Sequence, residues 1–157
     1  MKIDQKDIQI LALLQNNARL SNKELAAELD IAPSTCHERL KRLTKEGFFK
    51  AFNADINLNK LGISIEVLVS VRLTQHERSI VNSFIKKIKK INGVIRFYHV
   101  AGNTDFILHV AVNDSNSLKS FIMDDLASFS YIDHIESSMI YQHECVHRLK
   151  VLSSFSQ

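Results

Sequence analysis

The sequence predicts an α+β protein, with an N-terminal winged helix-turn-helix followed by a C-terminal ferredoxin-like βαββαβ sandwich. Three observations predict it. The stretch from Ser21 to Arg42, SNKELAAELDIAPSTCHERLKR, reads as two short helices joined by a tight turn, the second with a dense basic face. Two helices crossing at a large angle with basic residues on the second form the arrangement that lays the second helix in the DNA major groove. Further along, apolar residues recur at period 2, then 3.6, in the order βαββαβ. The four glycines, Gly47, Gly62, Gly93 and Gly102, all fall at junctions, where strained backbone is expected.

The first helix is expected from Asp4 to Asn17, with Ile8, Leu11, Leu14 and Ala18 at helical spacing, Asp4 as its cap and Asp7 in its first turn. Ser21 and Glu24 form a capping box for the second helix, whose Leu25, Ala26 and Leu29 face inward. Pro33, the single proline, opens the third helix, where its missing N–H would be unpaired in any case. Leu40 and Leu43 bury that helix and Gly47 ends it. Phe48 to Ile56 alternates loosely and reads as the strand of a wing, and the polar run Asn57 to Ser64 reads as a hinge.

The second half begins with Ile65, Val67, Val69, Val71 and Leu73 alternating with Glu66, Ser70 and Arg72, the pattern of a half-buried strand. Ile80, Val81, Phe84, Ile85, Ile88 and Ile91 mark a helix. Val94 to Val100 and Phe106 to Val112 are strands around a turn at Gly102. Ser115 opens a helix with Leu118, Phe121, Ile122 and Leu126 inward, and Ile132 to His143 is a last strand. The expected domains are therefore 1–56 for the winged head, 57–64 for the linker and 65–157 for the sandwich.

With 157 residues, the chain holds one ordinary domain or two small ones. Its 45% hydrophobic and 24% charged residues are those of a globular protein. A net charge of +3 is too weak to imply nucleic-acid binding, so any basic surface must come from local clustering. Cys36 and Cys145 lie far apart and suggest free thiols in a reducing cytosol. Cys36 reads as a small core residue. MKIDQKDIQI carries no long apolar run or cleavage site, so no secretory signal is expected. No run of about 18 apolar residues would span a membrane.

Local clustering is what the third helix shows. From Pro33 to Lys50 the basic residues are Arg39, Lys41, Arg42, Lys45 and Lys50, against Glu38 and Glu46. Such residues neutralise phosphates and release counterions. Ser34, Thr35 and His37 occupy the first turn, where a recognition helix reaches base edges. Arg39 and Arg42, three positions apart, are expected to share the groove-facing side. The competing reading is a solvated face on a structural three-helix unit.

His143-Glu144-Cys145-Val146-His147 matches the zinc-protease pattern H-E-x-x-H, but that chemistry needs a helix and the segment continues strand-like alternation. On a strand, His143, Cys145 and His147 would share one face as metal ligands, against the plainer reading of a polar terminal strand. Ala101-Gly102-Asn103-Thr104-Asp105 lies between two strands. The residues alone favour a plain hairpin turn over a ligand loop in which backbone donors and Asp105 hold a small zwitterion.

On IDQKDIQILALLQNNARLSNKELA, APSTCHERLKRLTKEGF and VAGNTDFILHV, the whole chain resembles the Lrp/AsnC family of feast/famine regulators. That resemblance implies a DNA-binding head, a domain that senses amino acids, and homodimers that assemble further, often to octamers, in cytoplasmic gene control. It places Ser34, Thr35, His37, Glu38, Arg39, Lys41 and Arg42, with Lys45 beyond them, on the recognition helix. It also places Gly102, Asn103, Thr104 and Asp105 in the effector loop, with Ser137 near it. The chain departs from the family at Ala32, where a capping Ser is usual, at Thr104, where the loop usually has an aromatic, and at Tyr131, where a glycine is usual.

The expected protein is thus a sequence-specific, double-stranded-DNA-binding transcriptional regulator with an amino-acid effector, neither an enzyme nor dependent on a cofactor. The rivals are a stand-alone amino-acid-binding or enzymatic domain, against which the charge on the third helix argues, and a metal-responsive regulator using His143, Cys145 and His147.

Overall fold

The computed structural model describes residues 3–144. Its chain divides into two compact units between Asp55 and Ile56. The first holds α1 (Gln5–Asn16), α2 (Asn22–Glu28) and α3 (Pro33–Lys45). Both expected N-terminal signals are capping boxes. Asp4 accepts from the Asp7 N–H at 2.9 Å while Asp7 accepts from the Asp4 N–H at 3.0 Å. Ser21 and Glu24 repeat the exchange on α2. The α2–α3 turn is tight enough to hold Asp30 at φ 50°, the left-handed conformation that Asp tolerates better than most residues. Lys6 on α1 donates to the Leu29 carbonyl at 2.5 Å, satisfying an acceptor at the end of α2. Ile10, Leu25, Cys36 and Leu43 are fully buried between the three helices, as the spacing requires.

The strand expected over Phe48 to Ile56 does not form. A strand needs a ladder partner for its backbone groups, and among the described residues none pairs with this segment. Its apolar side chains are left exposed at Phe48, Phe52 and Ile56, with Phe49 and Phe52 rings 5.0 Å apart. Within the expected hinge, Leu58–Leu61 forms a 3₁₀ turn closed by Gly62 at φ 76°.

The second unit, Ile56–His143, contains β1 (Ile65–Leu73), α4 (Arg78–Ile88), β2 (Val94–His99), β3 (Phe106–Val112), α5 (Ser115–Ser120) running on into a π-helical turn at Phe121–Leu126, and β4 (Ile132–Met139). The sheet is antiparallel throughout in the order β2-β3-β1-β4, the split βαβ arrangement. Val67, Val69, Val71 and Leu73 of β1 and Phe106, Leu108 and Val110 of β3 are buried on one side with Phe84 and Ile88 of α4. Phe84 and Phe106 rings lie 4.6 Å apart at the centre of this core. Alternation leaves Glu66, Leu68, Ser70 and Arg72 on the other side, opposite Ile107, His109 and Ala111. Gly93, at φ 89°, precedes the register shift in β2, and a Cβ there would sit 3.1 Å from the Ala111 carbonyl oxygen.

β4 ends at Met139 rather than at His143. Its partner β1 begins at Ile65, so the ladder runs out, with a last bond from the Ile140 N–H to the Glu66 carbonyl at 2.9 Å. Cys145 and His147, two of the three terminal metal-ligand candidates, lie outside the described residues. Among the described residues no helix is long and apolar enough to cross a membrane.

Candidate functional site

Cys36 and Leu43 turn one side of α3 into the core and leave the opposite side exposed. Ala32 is its cap residue and supplies no side-chain bond, while Pro33 fills the first turn. The Asn22 amide of α2 donates to the Pro33 carbonyl at 2.8 Å and ties the two helix starts together. Ser34, Thr35, His37, Glu38, Lys41 and Lys45 are exposed along α3. A shallow open groove is lined by Ser34, Thr35, Glu38, Arg39 and Arg42.

The two arginines share one side of α3, as their spacing requires, and both reach the start of α1. Arg39 Nη1 donates to Asp4 Oδ2 at 2.6 Å and to Asp7 Oδ1 at 2.8 Å, and Arg42 Nη2 donates to Asp7 Oδ2 at 2.6 Å. Asp7 is fully buried, the one buried charged residue among those described. Its carboxylate thus accepts from two guanidiniums and from the Asp4 N–H. Arg39 and Arg42 therefore fasten α3 to the start of α1, and their charge is already balanced inside the unit. Arg39 is held more basic than usual by its hydrogen bonds to Asp4 and then Asp7. Burial pushes the Asp4 carboxyl up, but the Asp7 N–H and the Arg39 guanidinium outweigh it and hold the group below its ordinary value. Among the described residues Lys41 and Lys45 form no salt bridge, which makes them the α3 cations best placed to meet phosphate.

The loop Gly102 to Asp105 sits where β2 turns into β3 at the end of β1. Gly102 has φ 139° and open space around it. Gly102 and Asn103 are exposed. Thr104 Oγ1 lies 2.8 Å from the Val71 carbonyl oxygen and donates to it. The Asp105 N–H donates to that same carbonyl at 3.0 Å. Asp105 Oδ2 accepts from the Leu73 N–H at 2.7 Å, and Oδ1 lies 2.8 Å from His76 Nε2. Asp105 is largely buried whereas His76 is exposed. The carboxylate thus latches the hairpin to the end of β1 and presents one oxygen, through His76, toward solvent. Ser137 pairs with Val69, three residues along β4 from His134, which faces Arg72 at the level of the loop. That is about 10 Å along the strand and about two strand spacings across it, so within one chain Ser137 is not beside the loop.

A family model described as winged helix-turn-helix DNA-binding matches residues 3–50, and one described as the Lrp/AsnC ligand binding domain matches residues 66–148. The chain belongs to the Lrp/AsnC family. It is similar to the HTH-type transcriptional regulator AldR of Mycobacterium tuberculosis, at 37% identity over 90% of this chain and 79% of that one. It is also similar to the transcriptional regulator AzlB of Bacillus subtilis, at 31% identity over 90% of each. Among solved structures, the complex of the transcriptional regulator NMB0573 with L-Met from Neisseria meningitidis superposes with a TM-score of 0.83 at 27% identity, covering 89% of this chain and 90% of that one. This Lrp/AsnC chain is accordingly a transcriptional regulator with a DNA-binding head and a ligand-binding domain, and its relatives' roles support a non-enzymatic one.

Two participants are not visible as such in the sequence of this Lrp/AsnC protein. Asp7 stands out there only as a first-turn acid. The signal for its role is the matched spacing of Asp4 and Asp7 with Arg39 and Arg42, three positions apart in each pair. His76 lies in the loop after β1, and only the fold brings it to Asp105.

Proposed function

We propose that this regulator reads DNA with the exposed face of α3 and is switched by an amino acid held at the Gly102–Asp105 loop. The observation that carries the first half is the division of labour on α3. Arg39 and Arg42 are engaged by Asp7 and Asp4, while Ser34, Thr35, His37 and Glu38 face outward in the turns that reach base edges. Lys41 and Lys45 supply phosphate contacts further along the helix. A single helix reads few base pairs, so the working species is a homodimer presenting two helices about 34 Å apart, or a multiple of that, with assembly to an octamer beyond it.

The effector half rests on complementary charge. An amino acid carries a carboxylate for the free backbone donors of the loop and an ammonium for the Asp105 oxygen now shared with His76. The relative solved with L-Met supports the same ligand class. Thr104 turns its hydroxyl back to Val71 and leaves the loop without a bulky side chain, which favours a larger or more polar amino acid.

The test is a selection of duplexes from a random DNA pool, followed by titration of the best binders against salt with each of the twenty amino acids present in turn. A steep salt slope and one amino acid that changes the affinity are expected. Retention of no duplex above background refutes the DNA half, and indifference to all twenty refutes the effector half.

A further inference from the structure

The open side of the sheet carries a cluster that neither the DNA-binding face nor the effector loop uses. Glu66 on β1 and His109 on β3 both point away from the helical core, because their neighbours Val67, Leu108 and Val110 point into it. Glu66 pairs with Ala111 and His109 with Leu68, so the two are diagonal neighbours within side-chain reach. The bond from the Ile140 N–H to the Glu66 carbonyl then holds the chain leaving β4 against the start of β1. Three residues later His143 returns to the same spot.

The result is a convergence of three ligand-type side chains. His109 Nε2 lies 2.8 Å from Glu66 Oε2, and His143 Nε2 lies 3.2 Å from that same oxygen. The two imidazoles meet edge to face with centroids 5.5 Å apart. All three ligand atoms fall within 4.8 Å of one another. Around a tetrahedral zinc with bonds of about 2.0–2.1 Å, ligand atoms sit roughly 3.4 Å apart. The 3.2 Å Glu66–His143 distance is already near that value, and the 2.8 Å Glu66–His109 hydrogen bond has to open by about half an ångström. Half-exposed His143, beyond the end of β4, has room to adjust. Glu66 and His109 are mostly buried side chains and would anchor the site.

We propose that Glu66, His109 and His143 bind a first-row divalent cation of the zinc class. Two imidazole nitrogens and one carboxylate oxygen suit Zn²⁺ and its neighbours better than Mg²⁺ or Ca²⁺, which take oxygen ligands. Three protein ligands leave one tetrahedral position for water or an incoming donor. Bound metal would staple β1, β3 and the segment after β4 into one piece. This set shares only His143 with the terminal trio that the sequence put forward.

The experiment uses the full chain without a polyhistidine tag, stripped with chelator. Zn²⁺ is titrated by calorimetry, Co²⁺ is followed by its visible absorption, and thermal unfolding is recorded with and without Zn²⁺. A single-site isotherm, tetrahedral Co²⁺ bands and a raised unfolding temperature are expected, because a cation that binds the native state stabilises it. Loss of even an outer-sphere partner weakens metal sites about 10–100-fold, so Glu66→Gln, His109→Ala and His143→Ala should each weaken binding at least tenfold. Glu66→Gln is nearly isosteric and His143 lies outside the strands, so two of the three variants report even if His109→Ala fails to fold. A Cys145→Ser/His147→Ala double variant should bind as wild type. Absence of Zn²⁺ binding at micromolar protein overturns the proposal. So does binding that survives Glu66→Gln and His143→Ala, or that is lost only in the Cys145/His147 variant.

Discussion

Arg42 on α3 and Asp7 on α1 meet at 2.6 Å, and the aspartate of that pair is completely buried. Removing one partner of a buried ion pair leaves an uncompensated charge, which destabilises far more than the intact pair stabilised. Arg39→Ala/Arg42→Ala should therefore destabilise the head by about 3 kcal/mol, read as a lower urea midpoint. Loss of DNA binding in this variant should accompany that loss of stability. A double variant with the wild-type midpoint would show that the arginines are free to face DNA.

Lys41→Ala/Lys45→Ala should behave oppositely. Both residues are exposed and form no salt bridge among the described residues, so stability should stay within about 0.5 kcal/mol. Each phosphate that a lysine no longer neutralises flattens the salt dependence by about 0.9, so the slope of log affinity against log salt should drop by about 2. An unchanged slope would remove both lysines from the interface.

Asp4 gives the head a specific acid response. Its folded-state pKa lies below the ordinary 3.8, where the opposing push of burial is outweighed by the Asp7 N–H and Arg39. The stabilisation it gives is complete above that ordinary value and is lost as pH falls through the folded one. The stability gap between wild type and Asp4→Asn should be constant above about pH 5 and should close on acidification. Urea midpoints from neutral to acid pH check it, and a gap that persists undiminished would disprove it.

Asp105 and His76 should separate by readout. Asp105→Ala removes the acceptor for the Leu73 N–H and should lower stability by about 1–3 kcal/mol whatever the ligand. His76→Ala removes an exposed side chain, should stay within about 0.5 kcal/mol, and should change the affinity for the effector several-fold. If calorimetry finds the same affinity in wild type and His76→Ala, His76 takes no part in binding.

The fold was legible wherever one periodic face had to be buried. Val67 to Leu73 and Phe106 to Val110 could not be placed on the other face without exposing the core, and the two capping boxes were local enough to read directly. The segment Phe48 to Ile56 has strand-like alternation too, but a strand is a property of two segments, and no described residue pairs with this one. The basic helix was equally visible, yet its charges could not be sorted. Arg42 and Lys41 look alike in sequence, and only the packing of α1 against α3 decides that the arginine faces Asp7. Glu66 and His109 were hidden for a related reason, since strand register sets which residues become neighbours.

The Asp7 clamp also bears on how such a protein can acquire new targets. Most of the residues that face outward on α3 take no part in holding it in place. Ser34, Thr35, His37 and Glu38 can be exchanged for other side chains while Arg39, Arg42, Cys36 and Leu43 stay as they are. On the reading proposed above, such a head is reprogrammable: its specificity can drift under selection, or be rewritten by design, without first being re-engineered to fold.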